Sequence, residues 1–109
     1  MLTRSETEIA ILAQFTAKPG QAEALRAAIY DVMGKTLAEP GCRRFVLYQS
    51  VDDPNLLSVI EKFASQADFD AHLGTPYIKN LLDKVVPELV AVQNITFHKE
   101  VLAPEFAYA

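Results

Sequence analysis

The apolar positions along the chain follow two periods, one typical of strands and one typical of helices. Residues 8–17 alternate two largely apolar sets of side chains, which predicts a first strand covered on both faces. Residues 22–36 then carry an apolar stripe at helical spacing, formed by Ala22, Leu25, Ile29, Val32, Met33 and Thr36. Because Pro40 disfavours a helical Glu39 and Gly41 allows a turn, we expect this helix to end near Ala38.

Two further β-type runs flank the turn sequence Asp52-Asp53-Pro54-Asn55, which predicts a hairpin. One face of the returning strand contains Leu57, Val59, Glu61 and Phe63. A carboxylate in an otherwise apolar row needs a partner for its charge or a raised pKa. The position of Glu61 therefore indicates either a partner for its charge or a raised pKa.

Helical patterns follow the hairpin. Ser65, with Asp68 three residues later, is suited to cap a second helix, on which Phe69, His72 and Leu73 share a face. Gly74 ends that helix, and the Thr75-Pro76 pair starts a third one, which we expect to end at Pro87. Residues 89–101 then predict one long final strand.

This order of elements predicts an α+β fold, with a ferredoxin-like antiparallel sheet and helices on one face. The other face is left bare although several strands are apolar on both sides, which predicts a homodimer whose two sheets pack face to face. At 109 residues the chain is expected to form one domain over 1–109, with a core of about 8–101 and a C-terminal tail, 102–109.

Composition and charge exclude several classes of protein. The net charge is −4 and the only adjacent basic pair is Arg43-Arg44, so we expect no nucleic-acid partner. Cys42 is the only cysteine, which excludes an intrachain disulfide. The charged start, MLTRSETE, and the lack of a long apolar run predict a soluble, cytoplasmic protein with no membrane partner. The two histidines and the one cysteine do not have the spacing of metal ligands, so we expect no bound metal. The sequence also contains no Gly-rich phosphate loop, so we expect no cofactor.

Three stretches of the chain together resemble a known family: "KPGQAEALRAAI", "LAEPGCRRFVLYQSVDDPN" and "VIEKFASQADFDAHLGTPYIKNL". They are similar to the antibiotic biosynthesis monooxygenase family of dimeric α+β barrels, over about Ile9 to Val101. The family contains cofactor-free quinol or anthrone monooxygenases, haem-degrading enzymes and an isomerase of a phosphorylated sugar. The haem-degrading branch is least similar, because Gln14, Phe63 and the His-free stretch 77–86 stand where its members carry Asn, Trp and His.

His72 and Glu61 are the candidate catalytic residues. The pKa of a histidine lies near neutrality, so His72 could take a proton from a phenol or quinol, and Glu61 could orient its imidazole. The resemblance implies that His72 borders the family's pocket. The alternatives are a hydrogen-bonded packing role for His72 and an ion pair of Glu61 with Lys62, Lys79 or an arginine.

Phe63, Tyr48 and Tyr77 are the candidate substrate-binding residues, because aromatic walls suit a flat substrate and tyrosine hydroxyls supply polar contacts. The alternative is that these rings belong to the core. Together with the resemblance, the residues predict a cofactor-independent monooxygenase that oxidises a small aromatic molecule, an electron-rich phenol, quinol or anthrone, with molecular oxygen.

Two other functions remain open from the sequence. The same base would serve an isomerase or other proton-transfer enzyme acting on a small carbonyl compound, and for a phosphorylated substrate Arg43, Arg44 and Lys79 would be the candidate basic site. A non-catalytic dimeric binding or stress-response protein is the third hypothesis. A packed dimer without a cavity beside His72 would favour it.

Overall fold

A computed structural model of the protein describes residues 3–106, so the first two residues and the end of the predicted tail, 107–109, lie outside it. The strands are β1 (Thr3–Arg4), β2 (Ile9–Ala17), β3 (Cys42–Gln49), β4 (Leu56–Phe63), β5 (Val90–His98) and β6 (Val101–Leu102). The helices are α1 (Ala22–Leu37), α2 (Gln66–Leu73), α3 (Pro76–Asn80) and α4 (Val86–Leu89), with a π-helical turn, Leu81–Val85, between the last two.

The main sheet has four antiparallel strands in the order β3-β4-β2-β5, and β1 pairs with β6 in a separate two-stranded sheet. Alternate side chains of β2 are buried on the helix-covered face: Ile9, Ile11, Ala13, Phe15 and Ala17. They form part of the hydrophobic core, and burial of apolar side chains is the dominant favourable contribution to folding. The predicted α+β, ferredoxin-like fold is confirmed.

Glu61 lies in the interior of this sheet, on the buried face. In the register of the strands it is opposite Ile11 on β2 and opposite Phe45 on β3. Leu57, Val59 and Phe63 on the same face of β4 are at most 3% exposed, and Glu61 is itself buried. The predicted row of three apolar side chains and one carboxylate is therefore present, and the carboxylate needs an internal partner.

Two predictions about the C-terminal half are wrong. Pro87 does not end the helical segment, because the π-helical turn Leu81–Val85 precedes it and changes the hydrogen-bond pattern, and the helical backbone continues through α4 to Leu89. The final strand does not run over 89–101. It ends at His98, and Val101 and Leu102 pair instead with Arg4 and Thr3, a long-range pairing that a local apolar pattern cannot reveal.

The face of the sheet that points away from the helices carries a mixture of apolar and polar side chains. Ile60 on β4 and Val92 on β5 are exposed there, and Leu12 on β2 is half-buried. The outward-facing side chains of β2, β4 and β5 are all half-buried or exposed. Over residues 3–106, no helix is both long enough and apolar enough to span a membrane.

Candidate functional site

Three elements bring the side chains of the site together. Glu61 comes from the buried face of β4, His72 from the last turn of α2, and Glu39 from the turn that follows α1. The start of α2 is fixed by Ser65, whose Oγ accepts a hydrogen bond from the backbone N–H of Asp68 at 3.1 Å, as the sequence predicted. This cap sets the direction of α2 and so carries His72 over the end of the sheet.

His72 lies between the two carboxylates. Its Nδ1 is 2.9 Å from Oε2 of Glu39, and its Nε2 is 3.2 Å from Oε1 of Glu61. The His72 side chain is only 3% exposed, and those of Glu39 and Glu61 are 15% and 9% exposed. The predicted contact of Glu61 with His72 is therefore present, within a group that also includes Glu39.

Aromatic rings surround the imidazole on its other sides. The ring centroid of Phe63 lies 4.8 Å from that of His72, and the ring of Phe69 stacks on it at 5.9 Å. Such surroundings exclude water and strengthen the attraction between the charged groups. The two phenylalanines thus hold the imidazole in a fixed orientation between its carboxylates.

Burial and charge act on the pKa of His72 in opposite directions. Burial is the largest single influence and lowers it, but the adjacent carboxylates of Glu61 and Glu39 together raise it more. The net result is a pKa above the ordinary value for histidine. His72 therefore binds a proton more tightly in the folded protein than in the unfolded chain.

Glu39 is the functional residue that the sequence reasoning missed. Besides His72, it accepts a hydrogen bond from the hydroxyl of Tyr77 at 2.5 Å. Burial, this hydrogen bond and the charge of Glu39 raise the pKa of Tyr77 to about 12, so its hydroxyl remains a donor. The available signal is the Glu39-Pro40-Gly41 stretch, which is part of the family resemblance but by itself predicts only the end of a helix.

A small apolar cavity of about 60 Å³ adjoins the Glu61–His72 pair. It extends between the sheet and the helices, and its lining includes Ile11, Phe15, Phe45, Val59, Phe69, Ile78 and Leu81. Leu73 on α2 and Ile95 on β5 also line it, and these two side chains are 37% and 38% exposed. They are the most exposed residues of the lining, so we take the opening beside them as the mouth of the cavity.

The three predicted substrate-binding residues lie in different places. Phe63 is fully buried and contacts the ring of His72, but it is not part of the cavity lining. Tyr48 is 51% exposed on β3 and lies away from the cavity. Tyr77 also lies outside the lining and reaches the site through Glu39. The structure therefore connects Phe63 and Tyr77 to His72 and does not bring Tyr48 to the same place.

The alternative ion-pair partners of Glu61 are engaged elsewhere or lie apart from it. Lys62 binds Glu100 at 2.6 Å and approaches Glu8, which also pairs with Arg43. Within the described part of the chain, His72 is the basic group in ion-pair distance of Glu61. The ion-pair partner of Glu61 is therefore His72, the residue that was also expected to be its catalytic partner.

The acidic and basic groups of the site are not arranged as metal ligands. Glu39 and Glu61 lie at opposite nitrogens of His72, so all three cannot bind one ion, and no metal-binding group of His, Cys, Asp and Glu side chains is found over residues 3–106. The thiol of Cys42 is 3.6 Å from the carbonyl oxygen of Arg44, and burial together with the nearby carboxylates raises its pKa. Cys42 is therefore a packed, protonated thiol.

Comparison with known proteins finds similar proteins over most of the chain. The relative named "Putative monooxygenase Rv0793", from Mycobacterium tuberculosis, is 34% identical over 96 residues, which cover 88% of this chain and 90% of that protein. The crystal structure of SO0527 from Shewanella oneidensis has a TM-score of 0.92 at 33% identity, covering 94% of this chain and all of that one. PA3566 from Pseudomonas aeruginosa gives 0.83 at 28% identity, with coverage of 90% and 97%. Residues 8–84 match the family described as antibiotic biosynthesis monooxygenase, and the chain belongs to that family.

Proposed function

We propose that this protein is a cofactor-independent monooxygenase that oxidises an electron-rich phenol, quinol or anthrone with molecular oxygen. The observation that supports it most is the Glu61–His72 pair at the wall of an apolar cavity. A buried acid–base pair of this kind can remove a proton from a bound molecule, and the apolar walls keep the resulting anion from being quenched by water. The family name and the name of the mycobacterial relative support the same type of reaction.

The electrons for the reaction come from the substrate. For an anthrone, loss of a proton to the site gives an electron-rich anion that reacts with O₂. Two C–H bonds are replaced by one C=O bond, one oxygen atom enters the product and the other leaves as water. This supplies all the electrons that O₂ accepts, so the balance requires no external reductant.

The size of the cavity adds a requirement to this proposal. At about 60 Å³ it accommodates O₂ or a few water molecules, whereas a cavity of roughly 150 Å³ is needed to hold a benzene ring. An aromatic substrate must therefore displace side chains as it enters. Leu73 and Ile95 are suited to this, because they are partly exposed and line the mouth.

The predicted homodimer is part of the proposal. A second copy would cover the open face of the sheet, where Ile60, Val92 and Leu12 expose apolar surface. Packing two such sheets face to face buries side chains that a monomer leaves in water. The family that the sequence resembles forms dimeric barrels, which also suggests that a second copy of the chain covers this face.

Oxygen uptake tests the proposed function. The purified protein is added to a panel of quinols and anthrones in an oxygen-electrode cell, with the uncatalysed rate subtracted, and product is analysed after reaction under ¹⁸O₂. We expect faster uptake with at least one substrate class, one ¹⁸O atom in the product, and loss of the enzyme-dependent rate in His72→Ala. Uptake equal to background across the panel would reject a monooxygenase acting on these classes and favour a binding protein.

A further inference from the structure

Both ring nitrogens of His72 face a carboxylate. Nδ1 lies 2.9 Å from Glu39, and Nε2 lies 3.2 Å from Glu61. A neutral imidazole has one N–H donor and one lone pair, so a neutral His72 that donates to one carboxylate directs its lone pair at the other. A second ring proton removes this repulsion. The geometry therefore favours the imidazolium form of His72.

The charges around His72 favour the same form. The titratable groups that face it come from four neighbouring segments: Glu39 after α1, Cys42 on β3, Glu61 on β4 and Tyr77 on α3, the last through Glu39. Among residues 3–106, no lysine or arginine forms an ion pair with either glutamate of the site. A protonated His72 is then the cation that neutralises part of this negative charge, in agreement with its raised pKa.

One carboxylate oxygen of Glu61 is an acceptor that no described donor uses. This oxygen, the buried Oε1, is within ion-pair distance of Nε2 but makes no hydrogen bond among the described residues, because the two groups are not well aligned. Both Glu61 and His72 line the cavity. Because Nδ1 is held by Glu39 and the Nε2–H group makes no aligned hydrogen bond to Glu61, a molecule in the cavity meets the Glu61 carboxylate as acceptor and the Nε2–H group as donor.

We infer that the two side chains have separate roles: Glu61 removes a proton from carbon, and the His72 imidazolium donates a hydrogen bond to the carbonyl oxygen on which negative charge develops. The substrate class is then an enolisable ketone. This inference rests on the proposed function and narrows it to anthrone-like substrates, because a simple phenol offers no acidic C–H. It also differs from the sequence prediction, in which His72 was the base.

The step is balanced without oxygen. The C–H bond breaks, its proton bonds to the Glu61 carboxylate, and the electron pair moves through carbon to the carbonyl oxygen, giving an enolate. A carboxylate can perform this reaction when the enolate oxygen is stabilised by a donor in a water-excluded site. O₂ is reduced only afterwards, when it meets the enolate.

Glu39 is a positioning residue in this arrangement. It acts through Nδ1 of His72, keeping the ring protonated and aimed at the cavity, and the hydroxyl of Tyr77 holds the carboxylate in place. Because Tyr77 approaches from α3 and Glu39 follows α1, this hydrogen bond also joins two elements around α2. Glu39 itself does not line the cavity.

Anaerobic hydrogen–deuterium exchange tests the assignment. Anthrone and the smaller ketone 2-indanone are incubated with the protein in D₂O without oxygen, and loss of the acidic C–H signal is followed by NMR. We expect the protein to accelerate exchange, and Glu61→Gln to reduce the enzyme-dependent rate by roughly 10²–10⁴-fold, as expected for loss of a general base. Glu88→Gln, a change to an exposed glutamate of α4, is the matched control and should leave the rate unaltered.

The two proposals fail in different ways. Exchange without oxygen uptake in air would reject the monooxygenase and retain the roles of Glu61 and His72. Oxygen uptake from quinols without any ketone exchange would reject the role assignment and retain the monooxygenase. Neither activity would reject both.

The pH profile of exchange distinguishes positioning by Glu39 from mere structural support. Exchange requires protonated His72, so its rate should fall at high pH as the ring loses its proton. Glu39→Gln removes the negative charge beside the ring and should move this fall to lower pH. Tyr77→Phe keeps the charge of Glu39 and should leave the pH of the fall unchanged. Tyr30→Phe, at an exposed tyrosine, is the control. NMR titration of the His72 ring gives the same comparison without substrate. A wild-type His72 that is neutral at neutral pH, or unmoved by Glu39→Gln, would overturn the inference.

Discussion

Oε2 of Glu39 lies 2.9 Å from Nδ1 of His72, although 33 positions separate the two residues in the sequence. The contact joins the turn after α1 to the last turn of α2, and both side chains are largely buried. A charged pair in such surroundings is sensitive to protonation, because loss of one charge leaves the other buried without compensation. The Glu39–His72 contact should therefore affect both the chemistry of the site and the stability of the fold.

The stability of the protein should depend on pH through His72. Its pKa is raised in the folded state, so the stabilisation from its charge is fully present below about pH 6.5, the ordinary value, and is lost as pH rises through the folded value. Urea unfolding of wild type and His72→Gln measures this. The free-energy difference between the two proteins should shrink as pH rises from about 6 to about 9. A difference that stays constant or widens would contradict the charged pairing.

Gly41 is predicted to tolerate no side chain. A Cβ there would lie 2.2 Å from Cγ and 2.3 Å from Cβ of Asp68, close to the residue that completes the cap of α2. Gly41→Ala should therefore lower the free energy of unfolding by about 1–3 kcal/mol. Gly34→Ala is the matched control, because a Cβ there meets no atom within 4 Å and alanine favours helix by about 0.5–1 kcal/mol. Equal effects of the two changes on thermal unfolding would show that the close approach to Asp68 is unimportant.

The mouth of the cavity should limit the size of the substrate. Ile95→Ala removes apolar volume at the entrance, so the KM for a tricyclic anthrone should fall roughly fivefold, which corresponds to about 1 kcal/mol of relieved crowding. The KM for a monocyclic quinol should change less. Val51→Ala, at a fully exposed position of the hairpin turn, serves as the control. A larger effect on the small substrate would place the entrance elsewhere.

The open face of the sheet should form the dimer interface. Sedimentation at micromolar concentration is expected to give a dimer for wild type. Ile60→Lys introduces a charge into the proposed contact, and we expect the dissociation constant to rise roughly 100-fold or more, about 2.7 kcal/mol. Val51→Lys adds the same charge outside the sheet and should remain dimeric. A monomeric wild type, or a dimer unaffected by Ile60→Lys, would count against this interface.

Much of the fold and part of the site could be predicted from the sequence. The strand and helix periods gave the bounds of β2, α1 and the hairpin, and the Ser65 cap was recognised from its local chemistry. Glu61 was recognised because a carboxylate in an apolar row requires a partner, and His72 was the nearest candidate on the next helix. These features depend on short-range patterns, which a single sequence displays directly.

The rest depends on how distant elements meet. Glu39 lies in a turn, where a glutamate is ordinarily solvated, and its contact with His72 depends on where the segment after α1 meets the end of α2. Whether Tyr77 faces a cavity or a carboxylate depends on the orientation of α3. The pairing of β1 with β6 likewise joins the two ends of the described chain, and no local pattern contains that information.

Oxygen uptake by wild type and Glu61→Gln with anthrone tests the central claim most directly. The substitution preserves the size and shape of the side chain but removes the proton acceptor from the cavity. If the Glu61–His72 pair generates the anion that reacts with O₂, kcat/KM should fall by roughly 10²–10⁴-fold in Glu61→Gln and remain at the wild-type value in Glu88→Gln. Equal kcat/KM for wild type and Glu61→Gln would contradict the account.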